Sequence, residues 1–243
     1  MIADNLQDVR RRITAAAQRS NRSPADVRLI AVSKTHPAET VIDAVRAGQL
    51  DFGENRVQEG LGKIDETRLR QGSGEAYALE WHLIGHLQTN KAKKAAAAFQ
   101  WIHSVDSVEL VQKLDAAAIE SGARPNILIQ VDLAREATKS GAQLPEVPAL
   151  IAAARSARAV RLAGLMIVPP IVENPEDARA WFRQLRAVRD ALVAAGTPAA
   201  SLKELSMGMS HDFEVAIEEG ATMVRVGSAI FGARDAMKGS EGQ

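Results

Sequence analysis

The sequence predicts a single (β/α)8 barrel of the TIM type across residues 1–243, with one extra helix ahead of the first strand. Three observations predict it. The chain has 243 residues, close to the roughly 250 of a one-domain barrel. Short apolar, β-branched runs alternate with helix-periodic segments eight times, the pattern of parallel strands joined by crossover helices. No linker, composition shift or extended low-complexity stretch divides the chain. A doubly wound open sheet of seven or eight strands is the alternative that shares this alternation.

The opening helix, residues 5–19, carries Leu6, Val9, Ile13 and Ala17 at helical spacing, and Asn21-Arg22-Ser23-Pro24 breaks it. The first strand, 28–34, ends at Lys34 and is followed by Thr35-His36-Pro37. A helix over 38–47 stops at Gly48. The second strand, 50–52, enters Gly53-Glu54-Asn55 and a helix to about Arg70, with a loop at 71–74. Strand 80–85 precedes helix 89–98, and strand 101–105 precedes a helix capped by Asp106 or Ser107 and stopped near Gly122. The most regular strand pattern is 126–132, with helix 146–157 after it. Strand 160–166 runs into the breaker Val168-Pro169-Pro170; the long helix 175–195 behind it has Trp181, Leu185, Val188 and Leu192 as a core stripe. Strand 203–206, helix 211–219 and strand 222–226 complete the set, and Phe231 opens the tail.

Composition narrows the function classes. Thirty basic and 30 acidic residues give a net charge of zero, unlike a nucleic-acid or anionic-membrane binder with a basic face. With no cysteine there are no disulfides, thiolate nucleophiles or Cys-based zinc sites. No run approaches the roughly 20 apolar residues of a membrane span, and the polar start Met1-Ile2-Ala3-Asp4 has no secretory apolar core. A cytoplasmic monomer is expected. Hydrophobic residues make up 46% and aromatics 4%, so Ala, Leu, Val and Ile must fill the core.

Lys34 stands at the carboxyl end of a strand, where barrel enzymes keep their chemistry. A buried amine there has its pKa lowered and can attack a carbonyl; an amine snorkelling off a strand end is the ordinary alternative. Phosphate sites in barrels form after strands seven and eight. This chain has Ser206-Met207-Gly208-Met209-Ser210 in one of those positions and Arg225-Val226-Gly227-Ser228 in the other. Glycine permits close approach, while serine hydroxyls and helix N–H groups donate to an anion. Two ordinary strand-to-helix turns with capping serines, Ser210 among them, would look the same. Alternation in 223–226 puts Arg225 on the face opposite Val224 and Val226, and an inward arginine needs an anion or acceptor. An amine, an arginine and a phosphate cradle on one rim are the parts of a pyridoxal 5′-phosphate (PLP) site.

Five ordered blocks carry a family resemblance. They are Ala31-Val32-Ser33-Lys34-Thr35; residues 52–59, which include Gly53-Glu54-Asn55; residues 81–88, from Trp81 to Gln88, with Asn90-Lys91; residues 206–210 with Asp212; and residues 224–232. They span nearly the whole chain, which resembles the YggS/PROSC family of pyridoxal phosphate homeostasis proteins, whose fold is that of the alanine racemase N-terminal barrel. The resemblance implies that Lys34 forms a Schiff base with PLP, that Ser206, Ser210, Gly227 and Ser228 surround the phosphate, and that Arg225 faces the pyridine nitrogen. It also places Asn55 and Met209 beside the cofactor, although Met209 read alone is a packing residue. Segment 132–141 matches more loosely, and Lys139 is assigned no role.

An arginine beside the pyridine nitrogen disfavours its protonation and weakens the ring as an electron sink. Racemisation also needs a base on each face of the substrate carbon; in alanine racemase the second is a tyrosine from another domain. The single tyrosine here, Tyr77, lies in a polar loop. The expectation is therefore a PLP carrier, with apo PLP-dependent enzymes as recipients. The rival is a single-domain amino-acid racemase using His82, His86 or His211, and a sugar-phosphate enzyme would need Glu54 as base. His82 and His86 have helical metal-ligand spacing but sit in a strand pattern, so no metal site is expected.

Overall fold

The computed structural model describes residues 1–71, 77–134 and 140–232. Lys139 lies outside them. Eight strands lie among the described residues: β1 (Arg28–Val32), β2 (Asp51–Glu54), β3 (Glu80–Leu83), β4 (Trp101–Val105), β5 (Asn126–Gln130), β6 (Arg161–Met166), β7 (Glu204–Met209) and β8 (Met223–Val226). All neighbouring pairs are parallel and the sheet closes in sequence order. Closure is made by β1 against β8, with Arg28 opposite Met223 and Ile30 opposite Arg225. That pairing rules out the open sheet.

Helices α2 (Ala38–Arg46), α3 (Val57–Gln71), α4 (Ala92–Ala98), α5 (Val108–Ser121), α6 (Val147–Ser156), α7 (Arg179–Ala194), α8 (Phe213–Glu218) and α9 (Ser228–Phe231) follow the strands in turn. The extra helix α1 (Ile2–Arg19) starts earlier than its apolar spacing suggests, at Ile2. It buries Leu6, Val9, Ile13, Ala16 and Ala17 and packs against α8, α9 and α2. Each large aliphatic side chain so buried contributes about 1.5–3 kcal/mol. Polar ties fix its rotation: Asn5 Nδ2 donates to the Ile230 carbonyl at 2.8 Å, and Arg12 forks onto Glu214 at 2.8 and 3.0 Å.

Strand alternation sorts the core into two layers. Outward residues such as Ala31, Phe52, Leu83, Ile102, Ile129, Leu165, Val224 and Val226 pack under the helices. Inward residues Ile30, Trp101, Leu128, Ala163, Met166 and Met223 fill the lumen, so the barrel is a packed core and not a pore.

Three local expectations change. Strand β7 continues through Met209 instead of ending at Ser206. Its register against β8 shifts between Ser206 and Met209, with Gly208 at φ +92°. Gly208 therefore marks a bulge inside a strand, where sequence reading took glycine for a turn. Helix α8 starts at Phe213 behind Asp212, so Ser210 is not its N-cap. Phe231 belongs to α9 instead of opening the tail. Of the two candidate caps of α5, Asp106 and Ser107, it is Ser107 that caps it, accepting from Leu110 N at 3.2 Å.

Candidate functional site

The carboxyl ends of β1, β2, β7 and β8 surround a cavity of about 450 Å³. Val32 and Lys34 both line it while Ser33 turns outward; β1 ends at Val32, so Lys34 stands in the turn just beyond the strand that the sequence predicts to end at it. Lys34 is half-buried. The backbone beside it is held from behind. Ser33 Oγ donates to Glu54 Oε1 at 2.7 Å, and Lys63 Nζ reaches the Ser33 carbonyl at 2.7 Å and Glu54 Oε1 at 2.6 Å. Thr35 has φ +67°, a left-handed conformation unusual for a β-branched residue, and its N–H is held by Glu59 Oε1 at 2.5 Å. Glu54 is fully buried in this clamp, and burial raises its pKa against the opposing pull of Lys63 and Ser33. It faces away from the cavity, so it is not placed to act there as a base.

Asn55 lines the cavity from the end of β2, and its Oδ1 is buried with no hydrogen-bond partner among the described residues. Gly85 keeps it there: a Cβ on Gly85 would lie 2.2 Å from the Asn55 carbonyl oxygen. Only glycine lets the two strand ends come this close.

Arg225 lies against the cavity and is 4% exposed. Nη1 donates to Ser206 Oγ at 2.7 Å and Nη2 to the Ile167 carbonyl at 2.8 Å. Burial lowers its pKa to about 10, opposed by Asp212, so it stays charged at neutral pH. Asp212 is itself buried, which raises its pKa, and its Oδ1 accepts from Met209 N at 2.6 Å.

The opposite wall joins the ends of β7 and β8. Ser210 Oγ accepts from Gly227 N at 3.0 Å, tying one loop to the other and leaving the hydroxyl proton for a further acceptor. Met209, Ser210, Gly227 and Ser228 all face the cavity. The first N–H groups of α9 have no intrahelical acceptors, so this wall offers donors to an anion.

Seven expected residues thus meet at one cavity: Lys34, Asn55, Met209, Ser210, Arg225, Gly227 and Ser228. Ser206 does not reach it. It is fully buried one layer below, under Arg225, because β7 is still a strand there. Thr35, His36, Ile84, Val168 and His211 also line the cavity. The signal for His36 was its place two residues after Lys34; Ile84 and Val168 carried none. Histidine 211 is exposed and its Nε2 lies 2.9 Å from the Glu173 carbonyl. His82 is sealed in the lumen, His86 is exposed beside Asp106, and Tyr77 lies in an outer groove with Thr67 and Arg68. Among the described residues no three His, Cys, Asp or Glu side chains are grouped to hold a metal, and no helix is long and apolar enough to cross a membrane.

The family described as "Alanine racemase, N-terminal domain" matches residues 5–235. A pyridoxal phosphate homeostasis protein of Escherichia coli (strain K12) is 44% identical over 240 residues, 98% of this chain and 98% of that protein. One from Pseudomonas aeruginosa is 44% identical over 236 residues, 96% of each. The solved structure of PipY, the COG0325 family member of Synechococcus elongatus PCC7942, with PLP bound, superposes with a TM-score of 0.78 at 40% identity, covering 96% of this chain and 100% of that one.

Proposed function

The chain belongs to the pyridoxal phosphate homeostasis proteins of the alanine racemase N-terminal domain family, and on that premise we propose that it binds PLP reversibly at Lys34 and carries it to apo PLP-dependent enzymes in the cytoplasm. One observation carries this reading. An amine, a buried arginine and a donor-rich anion wall face a single cavity. The fit to PLP is good at each polar point. Ser210 O–H and the leading N–H groups of α9 suit a phosphate. The orphaned Asn55 Oδ1 suits the ring hydroxyl. Arg225 supplies a cationic donor for the ring nitrogen. PLP held there would supply an aldehyde for covalent attachment to the Lys34 amine.

The residues around Lys34 favour holding over turnover. The Ser33–Glu54–Lys63 clamp and the Glu59 contact to Thr35 fix the backbone on both sides of the lysine. Arg225, charged and against the cavity, would oppose protonation of a ring nitrogen bound beside it. Neither Tyr77 nor His82 nor His86 lines the cavity as a base opposite Lys34, and His211 is engaged by the Glu173 carbonyl.

The purified protein should be yellow, and Lys34→Ala should abolish the near-visible absorbance. Survival of that band in the variant would refute the lysine assignment. Cofactor transfer to an apo-enzyme, measured with and without a trap for free PLP, tests the carrier role. The loaded protein incubated with L-amino acids in deuterated water should show no enzyme-rate Cα exchange; exchange with D-isomer accumulation would replace the carrier by the racemase.

A further inference from the structure

Behind Arg225, the lumen beneath the cavity holds a chain of polar side chains that the cofactor reading does not use. Arg225 Nη1 donates to Ser206 Oγ at 2.7 Å, and Ser206 Oγ lies 2.8 Å from His103 Nδ1. His103 Nε2 lies 3.0 Å from His82 Nδ1, and His82 Nε2 lies 3.0 Å from Asp51 Oδ1. Arg28 Nη1 meets the same Asp51 oxygen at 3.1 Å from the far mouth of the barrel. Ser206, His103 and His82 are fully buried, and the chain crosses the lumen through β8, β7, β4, β3 and β2.

Its proton polarity follows from chemistry alone. The Asp51 carboxylate only accepts, so His82 Nε2 carries a hydrogen. Both imidazoles are neutral: burial lowers their pKa values, with His103 pushed well down and further repelled by His82, Arg225 and Arg28. A neutral imidazole has one N–H, so His82 Nδ1 accepts and His103 Nε2 donates. His103 Nδ1 must then accept, which takes the Ser206 hydroxyl proton. Ser206 oxygen is left as an acceptor toward Arg225, which has only donors to offer. Every hydrogen points from Arg225 toward Asp51. Reversing one link would set two hydrogens or two lone pairs face to face in a dry lumen, at the cost of an unsatisfied buried group.

We propose that Asp51, His82, His103 and Ser206 are positioning residues that act through Arg225. The relay fixes the roll of the guanidinium, so that the hydrogens not spent on Ser206 and the Ile167 carbonyl aim into the cavity at the cofactor ring nitrogen. Trp101 braces the relay by stacking on His82, centroids 5.6 Å apart and planes 9° from parallel. The aim at the ring nitrogen rests on the PLP reading; the restraint of Arg225 does not.

His103→Phe keeps an aromatic ring, somewhat larger than imidazole, and removes both of its hydrogen bonds, while His103→Gln restores an acceptor and a donor. Two readouts apply. In cofactor-free protein, side-chain ¹⁵N NMR of Arg225, identified by its loss in Arg225→Lys, should show separate, slowly rotating Nη signals in the parent and in His103→Gln. They should average in His103→Phe. In loaded protein, the ¹⁵N shift of ring-labelled PLP should move and PLP release should accelerate about 10-fold in His103→Phe, with both returning toward the parent in His103→Gln. If His103→Phe does not fold, Ser206→Ala, which removes a single oxygen, is read in the same way. Unchanged Arg225 signals in the folded variant would overturn the relay. Altered Arg225 signals with an unmoved ring ¹⁵N shift would overturn its aim at the cofactor. A parent protein that takes up no PLP would sink the cofactor reading and that aim together, while the restraint of Arg225 is still decided by the cofactor-free spectra.

Discussion

Lys63→Met should be the most damaging single change near the site that does not touch the cavity. The Lys63 ammonium is 5% exposed and contacts Glu54 Oε1 at 2.6 Å, the Ser33 carbonyl at 2.7 Å and Glu59 Oε1 at 3.4 Å. Glu54 is fully buried, and its second oxygen, Oε2, already has no partner. Removing the amine strands that carboxylate, which costs about 3–5 kcal/mol. For a domain of this size the loss corresponds to roughly 6–20 °C in Tm. Burial already raises the folded-state pKa of Glu54 above its ordinary 4.5, and Lys63 opposes the rise; the variant should titrate higher still. A carboxyl with a raised folded-state pKa contributes most when protonated, and its contribution falls as pH rises from the unfolded value through the folded one. The gap between parent and variant should therefore be small near about pH 4 and widen toward about pH 8. Urea unfolding across that range measures it. Lys63→Met combined with Glu54→Gln should recover most of the loss, because no buried charge is then left unpaired. A gap below about 1 kcal/mol at neutral pH, or a double variant no better than the single one, would refute the buried-pair argument. Since the same ammonium holds the Ser33 carbonyl beside Lys34, PLP affinity should fall with stability in the single variant.

Ser210→Ala removes both the acceptor for Gly227 N and the hydroxyl facing the anion wall. PLP binding should weaken about 10-fold with little change in Tm, and inorganic phosphate should compete less well; unchanged titrations would take Ser210 out of the phosphate site. Gly85→Ala places a methyl 2.2 Å from the Asn55 carbonyl. It should cost about 1–3 kcal/mol and displace Asn55, seen as weaker PLP binding; normal stability and binding together would contradict the close approach.

Much of this protein is legible along the chain, because the relevant physics is local. Period-two alternation alone set Arg225 on the face opposite Val224 and Val226. A pair of capping candidates, Asp106 and Ser107, and a stop at Gly122 bound α5 from local chemistry alone. The serines were less legible. Ser206 and Ser210 stand four residues apart in one glycine-bearing motif and read as a single loop. Whether Gly208 makes a turn or a bulge depends on the strand beside it, and β8 decides for a bulge. Ser206 then becomes lumen and Ser210 becomes wall.

The order of strands and helices, the lysine following the first strand and the face carrying Arg225 are set along the chain, while the pairing of β1 with β8 decided the barrel over the open sheet. Tertiary structure alone decided which polar residues meet. Glu54 and Lys34 are 20 positions apart, yet the one is sealed behind the sheet and the other opens into the cavity. His103 and Ser206 are separated by 103 residues and lie 2.8 Å apart across the lumen. No periodicity encodes such a contact. It exists because β1 pairs with β8, and closing the sheet turns side chains from distant strands toward one axis.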